Sequence, residues 1–309
     1  MSTDRRAATA EIMGTVVSIA APAEIDAKVF AVAVERAFAH LRHADEVFST
    51  YRPESPISQI RDGRLELDQL REHPDGESIR AALALCAQLK RESDGAFDAW
   101  AVGEGTGTGA GESAFDPSGL VKGWAAEQAS VLLTESGVPS HSLGAGGDIQ
   151  VRGGRGPVPG AKHGGEHGGK RAGGSSGSTA RRPWRIGVGD PHRPGRLLTV
   201  VELVEGAVAT SGTAERGAHI WDPRTGVPAT ALASVTIVGP NLTWADGYAT
   251  AAHALAGADS AGPARTYAWL HALAARTGYQ GLVVTKDTDV WWTDGFLEFA
   301  PDLHAAAKQ

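Results

Sequence analysis

The stretch from Thr243 to Leu255, T-W-A-D-G-Y-A-T-A-A-H-A-L, places a carboxylate and a hydroxyl at helical spacing. Asp246 and Thr250 are four residues apart, so on a helix they lie on one face, a turn from each other. Such a pair offers the hard oxygen ligands that Mg²⁺ takes. The alternative is that Asp246 is the N-cap at which the helix begins and that Thr250 is merely tolerated. Taken alone, the stretch favours the N-cap interpretation.

A second chemically competent stretch is D-P-S-G-L-V-K-G, from Asp116 to Gly123. It combines a carboxylate, a glycine whose carbonyl can be approached closely, and Lys122 at a predicted helix start. Helix N-termini attract phosphates, and a lysine there adds a point charge. The stretch lacks the spaced glycines and the Lys-Ser/Thr pair of a P-loop. A turn with a capping Asp116 and a solvated Lys122 explains it equally well.

Two further groups give weaker signals. The glycines of G-A-G-G-D, Gly144 to Asp148, would let backbone N–H groups approach a phosphate or a flat ring, or they form an ordinary tight turn. Ser211, Glu215 and His219 suggest a catalytic triad, but Ser211 is not in a G-x-S-x-G elbow, so we reject that interpretation. His219 precedes Ile220 and remains of interest as a polar ring near a predicted strand end.

The candidate residues must be positioned by helices and strands, which the hydrophobic periodicity of the sequence predicts in alternation. Helices are predicted at 22–48, at 77–93, in the second half of 115–133, after Asp246 and at 263–277. Strands are predicted at 12–20, after the glycine turn in 143–152, and at 184–188, 197–204, 234–238, 280–285, 290–293 and 296–299. A polar loop is predicted at 48–60, and Asp294-Gly295 is predicted to form a hairpin turn. Strands that alternate with helices but also form hairpins favour a mixed α/β or α+β domain over a doubly wound parallel sheet.

The composition excludes several classes of protein. The chain has 309 residues, of which 42% are hydrophobic and 21% charged, enough for a sizeable core. The net charge of −7 argues against nucleic acid as a partner. A single cysteine, Cys86, excludes an internal disulfide framework and a cysteine zinc cluster. We find no signal peptide, lipoprotein cysteine or membrane-spanning run, so the expected location is the cytoplasm.

The expected organisation is one domain with a glycine-rich insertion. Residues 1–11 are predicted to be a disordered N-terminus, 12–300 a single domain, and 301–309 a tail. Between Gly153 and Arg182 the chain has almost nothing to bury, and we expect a flexible segment. His163, His167 and the lysines of this insertion could suggest metal or phosphate binding, but ordering so many glycines would cost entropy at every one.

Seven sequence blocks, taken in order, resemble the ApbE family, the FAD:protein FMN transferases. The blocks are M-G-T at 13–15, F-S-T-Y-R-P-E-S-P-I-S at 48–58, F-D at 97–98, D-P-S-G-L-V-K-G-W-A at 116–125, G-G-D-I at 146–149, A-T-S-G-T-A-E-R-G-A-H-I-W-D-P-R-T-G at 209–226, and A-D-G-Y-A-T-A at 245–251. Any one block is weak, but seven in order are specific. They cover the chain from about residue 12 to residue 256.

The resemblance implies an α+β fold with mixed sheets, packed helices and an FAD cleft between the layers. It implies a Mg²⁺-dependent enzyme that splits the pyrophosphate of FAD and releases AMP. The FMN would be attached through a phosphoester to a Ser or Thr hydroxyl of a target flavoprotein. Some members hydrolyse FAD to FMN and AMP instead.

The resemblance also assigns site residues. Metal ligands fall on the side chains of Asp246 and Thr250 and on the carbonyl of Gly119. The family's FAD contacts fall on Met13, Tyr51, Ala96, Phe97, Asp98, Asp116, Lys122 and Ile220. Lys122 would neutralise phosphate charge, the two aromatic rings would pack on flat rings, and the two aspartates would accept hydrogen bonds from adenine, ribose or isoalloxazine. His219 is a candidate general base or flavin contact, and Asp246 is an alternative base while it holds the metal.

Some positions depart from the family pattern. Gly144 stands where the family often has Asn, Pro56 where it usually has an acidic residue, and Arg61 where it usually has Asn. The insertion is long for the family, and many relatives are exported lipoproteins. Three alternatives to transfer stay open: an FAD pyrophosphatase, an FAD carrier that cleaves nothing, and a flavinylated target with Thr250 as acceptor. The intact metal residues argue against the carrier, and the metal role explains Thr250 better than an acceptor role.

Overall fold

The computed structural model of the protein describes residues 5–101, 115–156, 181–213, 217 and 220–303. The helices are α1 (Ala27–Phe48), α2 (Pro56–Arg61), α3 (Gly76–Glu92), α4 (Ser118–Glu135), α5 (Leu242–Ala256) and α6 (Gly262–Thr277). The strands are β1 (Arg5–Ile12), β2 (Thr15–Pro22), β3 (His141–Ala145), β4 (Asp148–Arg152), β5 (Trp184–Gly189), β6 (Leu197–Leu203), β7 (Gly206–Gly212), β8 (Trp221–Asp222), β9 (Val227–Pro228), β10 (Leu232–Gly239), β11 (Gln280–Thr285) and β12 (Val290–Trp292). Short 3₁₀ helices occupy Gln69–Arg71 and Asp294–Glu298.

An antiparallel sheet of eight strands organises these elements. Its strand order is β1-β2-β3-β4-β7-β10-β11-β12, and each neighbouring pair is antiparallel. Two hairpins, β5–β6 and β8–β9, form separate two-stranded sheets. The predicted α+β class, with mixed sheets and packed helices, is confirmed.

Both faces of the central sheet are covered. In β11, Val283 belongs to the hydrophobic core that the helices share, whereas Leu282 and Val284 belong to a second core. The second core contains side chains of the β5–β6 hairpin and of the segment from Phe296 to Leu303. Because successive side chains of a strand point to opposite faces, the sheet separates a helical layer from a β-hairpin layer. All eight residues of β10 are buried for this reason.

Helix α5 is capped from three directions. Its N-cap Asn241 accepts a hydrogen bond from the Trp244 N–H, Gln150 accepts one from the Leu242 N–H, and Glu127 accepts one from the Thr243 N–H. These acceptors satisfy N–H groups that the first turn of a helix leaves without partners. The helix therefore begins before Asp246, and the N-cap interpretation of Asp246 is wrong.

The N-terminal region differs from the sequence prediction. The strand predicted at 12–20 is the second half of a β1–β2 hairpin whose turn is Met13-Gly14, with φ of 56° and 66°. Residues 5–11, predicted to be disordered, form most of β1, because pairing with β2 satisfies their backbone. Residues 143–152 likewise form a β3–β4 hairpin rather than a turn and one strand.

Other elements match or depart locally. The helices predicted at 77–93 and 263–277 and the strands predicted at 184–188, 197–204, 234–238 and 280–285 are confirmed within a few residues. The loop predicted at 48–60 contains the start of α2, whose N-cap Ser55 accepts a hydrogen bond from the Ser58 N–H. The strand predicted at 296–299 is wrong, because Phe296 enters the second core from the 3₁₀ helix Asp294–Glu298.

Two predicted segments fall largely outside the described residues. Residues 157–180 of the glycine-rich insertion and residues 304–309 of the tail belong to this group, as do His163 and His167. Across the described ranges, no helix combines the length and the apolar character that crossing a membrane requires.

Candidate active site

The site is built where α4 and α5 touch. A Cβ atom on Gly123 would lie 2.6 Å from the carbonyl oxygen of Leu242 and 2.7 Å from Cβ of Asp246. A Cβ on Gly119 would lie 3.0 Å from Cγ2 and 3.4 Å from Oγ1 of Thr250. Only glycine allows so close an approach of the two helices. The backbone of Gly119 therefore lies beside the side chain of Thr250, one turn of α5 beyond Asp246.

A cluster of three charged side chains lies at this contact. The Lys122 ammonium is 3.1 Å from Oδ2 of Asp246 and also contacts Oδ2 of Asp148. Asp246 accepts a hydrogen bond of 2.9 Å from the Gly123 N–H, and Asp148 accepts one of 2.9 Å from the Thr210 N–H. The two aspartates are only 4% and 2% exposed. Two buried carboxylates that share one ammonium leave an excess negative charge, which a second cation would balance.

The cluster opens into a large cleft. The cleft has a volume of about 1720 Å³. Ordinary small-molecule pockets measure roughly 300–1,000 Å³, so the cleft is large enough for an elongated ligand. Helices α4 and α5 border it from one side of the central sheet, and the β5–β6 hairpin borders it from the other.

The structure brings nearly all the sequence-predicted site residues together. The described residues that line this one cleft include Met13, Tyr51, Ala96, Phe97, Asp98, Asp116, Gly119, Lys122, Ile220, Asp246 and Thr250. His219, the candidate base, and Glu215 lie outside the described residues. Positions scattered over more than 230 residues of sequence thus converge on one surface.

The aromatic residues of the cleft differ in their surroundings. Tyr51 is 95% exposed, so its ring is free to meet a ligand. Phe97 is buried, and its N–H donates to the Ser93 hydroxyl. A Cβ on Gly119 would lie 3.2 Å from the Phe97 ring, so this ring supports the α4 backbone as well as the cleft wall.

Asp98, Asp116 and Lys122 each make ion pairs or hydrogen bonds with other residues of the chain. Asp98 pairs with Lys90 at 2.6 Å, and Oδ1 of Asp116 accepts a hydrogen bond of 2.8 Å from the Ser118 N–H. The expected N-cap role of Asp116 is wrong, because the N-cap of α4 is Pro117, but the Asp116 carboxylate still accepts from the first N–H of the helix. The alternative of a solvated Lys122 is wrong, because its side chain is only 19% exposed and pairs with two carboxylates.

Sequence reasoning missed two contributions to the site. Asp148 was noted only as the end of a glycine turn, yet it is a buried partner of Lys122. Ser211, rejected as a triad nucleophile, lies with its hydroxyl 3.3 Å from that of Thr250. The signal for Asp148 was present, because a carboxylate directly before a buried strand needs a partner. The contact of Ser211 depends on a crossing of β7 and α5 that spacing does not reveal.

The donors at the α4–α5 contact fit a hard divalent cation. They are the carboxylate of Asp246, the hydroxyl of Thr250 and the backbone of Gly119, all of which offer oxygen. In the described part of the chain, no group of three or more His, Cys, Asp or Glu side chains forms a metal site. Oxygen donors suit Mg²⁺, which keeps several waters and needs few protein ligands, better than Zn²⁺.

Asp222 is a second buried aspartate in the wall of the cleft. Arg224 donates to both of its carboxylate oxygens at 2.8 Å, and the Arg224 N–H adds a third hydrogen bond. Burial alone would raise the pKa of Asp222, but the hydrogen bonds from Arg224 outweigh burial and hold the pKa below its usual range. The Arg224 guanidinium therefore balances the charge of this carboxylate.

Comparison with known proteins is consistent with this geometry. A model of the ApbE family matches residues 13–104 and 108–273. A protein of Treponema pallidum called FAD:protein FMN transferase is 34% identical over 150 residues, which are 45% of this chain and 37% of that protein. One of Rhodobacter capsulatus with the same name is 32% identical over 145 residues, 44% of this chain and 23% of that protein. The matched region thus spans well under two thirds of these relatives.

Solved structures have the same fold over nearly the whole chain. The ApbE protein of Thermotoga maritima superposes with a TM-score of 0.70 at 23% identity, covering 96% of this chain and 99% of that one. The flavin transferase ApbE of Vibrio cholerae gives a TM-score of 0.68 at 19% identity, with the same coverage of both chains.

Proposed function

This chain belongs to the ApbE family, and from that premise we propose that it is a Mg²⁺-dependent FAD:protein FMN transferase. The proposal is supported by the convergence, on one cleft, of the described residues that were predicted to bind metal and FAD, with the Lys122–Asp148–Asp246 cluster beside them. Relatives that share a third of their residues with this chain over the matched region are named for this activity.

Lys122 and the start of α4 bind the pyrophosphate of FAD in this proposal. The side chain lies in the fifth position of α4, near the helix end where N–H groups and the macrodipole favour anions. Its ammonium is held by Asp148 and Asp246 and so points into the cleft in a fixed orientation. Tyr51 at the exposed rim covers a flat ring of the ligand.

Asp246, Thr250 and the Gly119 carbonyl hold Mg²⁺. When bound, the ion neutralises charge on the pyrophosphate and stabilises the leaving AMP. The helix crossing at Gly119 and Gly123 keeps these groups together before any ligand binds. Such preorganisation matters because phosphoryl transfer depends more on positioning and charge neutralisation than on covalent catalysis.

The transfer step exchanges one phosphate bond for another. The acceptor hydroxyl oxygen bonds to the phosphorus on the flavin side of FAD, and the bond from that phosphorus to the bridging oxygen breaks. AMP leaves with the bridging oxygen, and FMN remains on the protein as a phosphoester of Ser or Thr. The hydroxyl proton passes to a base, for which His219 and Asp246 are the two candidates.

The partner of this reaction is a flavoprotein that presents a Ser or Thr hydroxyl. If water takes the place of that hydroxyl, the same site hydrolyses FAD to FMN and AMP. A cytoplasmic location for the reaction stays a prediction.

The test is AMP release from FAD by the purified full-length protein, with and without Mg²⁺ and with a Thr-containing acceptor. Asp246→Asn runs beside the wild type, and Ser130→Ala, which lies away from the cleft, is the matched control. Mg²⁺-dependent AMP release with covalent flavin on the acceptor is the expected result. AMP with free FMN in every condition would identify a hydrolase, and tight FAD binding with no AMP would leave only a carrier.

A further inference from the structure

The β5–β6 hairpin borders the cleft with the edge of a strand. Ile186, Gly187, Val188 and Gly189 all line the cleft, although their side chains alternate between buried and exposed. Successive side chains of a strand point to opposite faces. A run of consecutive residues that borders one cleft therefore presents the backbone edge of the strand, not one of its faces.

The register of the hairpin shows which backbone groups point outwards. In β6, the Glu202 N–H donates to the Phe299 carbonyl at 2.8 Å, so the backbone of Glu202 faces away from β5. Its partner across the hairpin is Arg185, and Gly187 lies opposite Val200. In an antiparallel pair, residues that bond to the partner alternate with residues that do not. The N–H and C=O groups of Arg185 and Gly187 therefore point away from β6.

This outer edge has no strand beside it in the described ranges, where β5 pairs with β6 alone. Natural proteins usually protect such edges, because open N–H and C=O groups attract another extended chain. Gly187 is exposed and has no side chain, and a Cβ on Gly189 would meet nothing within 4 Å. A second backbone can therefore approach the edge closely.

The open edge of β1, which is of comparable length, does not border the site. Strand β1 has eight residues and ends the central sheet. Among the described residues of the cleft wall, none comes from Arg5–Ile12. The predicted FAD contacts lie elsewhere in the cleft, so β5 is a part of the wall that the proposed cofactor chemistry leaves unassigned.

We propose that the outer edge of β5 binds the acceptor protein. An extended segment with the acceptor Ser or Thr adds to β5 as an antiparallel or parallel strand, and this pairing holds its hydroxyl at the FAD phosphate. The inference rests on the proposed function, because only a transferase to protein needs such a site. Main-chain hydrogen bonds supply the affinity, and alternate side chains of the added segment supply the specificity. Strand β5 has six residues, a span of roughly 20 Å, and the acceptor segment must be a loop or terminus able to extend over that distance.

The first test uses peptides with a single central Thr and randomised flanks, blocked at both ends. Peptides that receive FMN from FAD are identified by mass, and one of them is then remade with a single N-methyl group at each backbone amide in turn. Edge pairing predicts a period of two. Methylation at alternate positions raises the KM for the peptide about tenfold or more, while the intervening positions change it less than twofold.

The second test removes one backbone donor from the protein. Gly187→Pro takes away an N–H that points to the cleft, whereas Gly187→Ala keeps it and needs only a shift of the flexible Leu197 side chain, 2.8 Å from the added Cβ. The matched control is Thr9→Pro. The Gly146 N–H donates to Val16, whose partner across the β1–β2 hairpin is Glu11, so Glu11 and Thr9 point outwards on the edge of β1 that lies away from the cleft.

We expect Gly187→Pro to raise the KM for the peptide about tenfold and to leave the KM for FAD unchanged. Gly187→Ala should raise the KM for the peptide less, and Thr9→Pro should leave the KM for the peptide unchanged. Transfer without the period of two, or equal effects of the two prolines, would overturn the proposal. So would covalent flavin transfer to a folded acceptor protein by a wild type that modifies no peptide, since an edge site binds the main chain of an extended segment. Failure of the wild type to release any AMP would instead contradict the proposed function. If Gly187→Pro does not fold, the N-methyl series on the wild type decides.

Discussion

Two buried polar clusters lie between helix α4 and the β3–β4 hairpin, and they differ in charge. Near the start of α4, Lys122 is shared by the carboxylates of Asp148 and Asp246, and the cluster opens into the cleft. Further along α4, Ser130 and His141 form a cluster that none of the described cleft residues joins. The same two elements thus support both clusters.

The second cluster is neutral at its centre and satisfied by hydrogen bonds. The Nδ1–H of His141 donates to the Val138 carbonyl at 2.7 Å, and Nε2 accepts from the Ser130 hydroxyl at 2.7 Å. Arg152 donates to the Ser130 oxygen at 3.0 Å and pairs with Glu205 at the surface. Burial lowers the pKa of His141 to about 4, which keeps the ring uncharged at neutral pH.

The difference in charge between the two clusters distinguishes a cluster that only stabilises the fold from one that can bind a cation. Burial alone does not mark a functional group, because His141 is fully buried and both of its ring nitrogens are hydrogen-bonded to neighbouring groups. What distinguishes the first cluster is an excess of negative charge at the wall of a cleft. Such an excess calls for a cation that none of the described residues supplies, whereas a balanced group such as Asp222 with Arg224 needs none.

The largest expected effect is that of Asp246→Asn on AMP release. The amide has nearly the same shape and can still accept the hydrogen bond from Gly123, but it lacks the charge that holds a divalent ion. Since a bound metal contributes several kcal/mol to catalysis, the rate with saturating FAD should fall by about 10³-fold or more. Steady-state AMP assays and a melting curve check the result. A loss of less than about tenfold would contradict the assignment.

The next largest effect is expected for Lys122→Met, on the free energy of unfolding. It leaves two buried carboxylates without their ammonium, and breaking a buried ion pair in this way costs about 3 kcal/mol of unfolding free energy. Mg²⁺ should restore part of that loss by balancing the charge. Urea titrations with and without Mg²⁺ measure both effects. The control is Lys90→Met, whose half-exposed pair with Asp98 should cost less than about 1 kcal/mol. Equal losses in the two variants would contradict the account.

The pH dependence of stability should report the second cluster. The pKa of His141 is lowered to about 4 in the folded chain, below the ordinary value of 6.5. The unfolded chain therefore binds the proton more readily, and the stabilisation is complete above pH 6.5 and is lost as the pH falls towards 4. The loss should reach about 2 kcal/mol at pH 5. Urea titrations of the wild type and of His141→Gln should differ in this slope. Parallel curves would rule out His141 as the cause.

The smallest effect is expected for Ser130→Ala. It removes a hydroxyl that contacts His141 and Arg152, so the unfolding free energy should fall by about 1–2 kcal/mol. Because this cluster does not reach the cleft, AMP release at 25 °C should change less than twofold. A large loss of activity in a folded Ser130→Ala protein would show that the two clusters are coupled along α4.

Much of the fold follows from local patterns. Helices α3 and α6 show their apolar periodicity, and β10 is a mostly apolar run of the kind that is buried on both faces. The hairpin turn at Met13-Gly14 was missed because Met13 has a positive φ, which is uncommon for a residue other than glycine. The start of α5 was misplaced because two of its caps, Gln150 and Glu127, are distant in sequence.

The residues of the site could be predicted from the sequence, but the balance of charge among them could not. Spacing on one helix placed Asp246 and Thr250 together, and the resemblance to a known family supplied the other residues that line the cleft. That Lys122 serves Asp148 as well as Asp246 depends on a hairpin and two helices meeting in space. No local pattern encodes such a contact, so the charge balance that distinguishes the two clusters required the structure.

The most direct test of this account is the number of Mg²⁺ ions that the full-length protein binds in the presence of FAD, measured by titration calorimetry. We expect about one ion per chain for the wild type and for Ser130→Ala, and none for a folded Asp246→Asn. Equal Mg²⁺ binding by Asp246→Asn and the wild type would show that the unbalanced cluster is not the metal site.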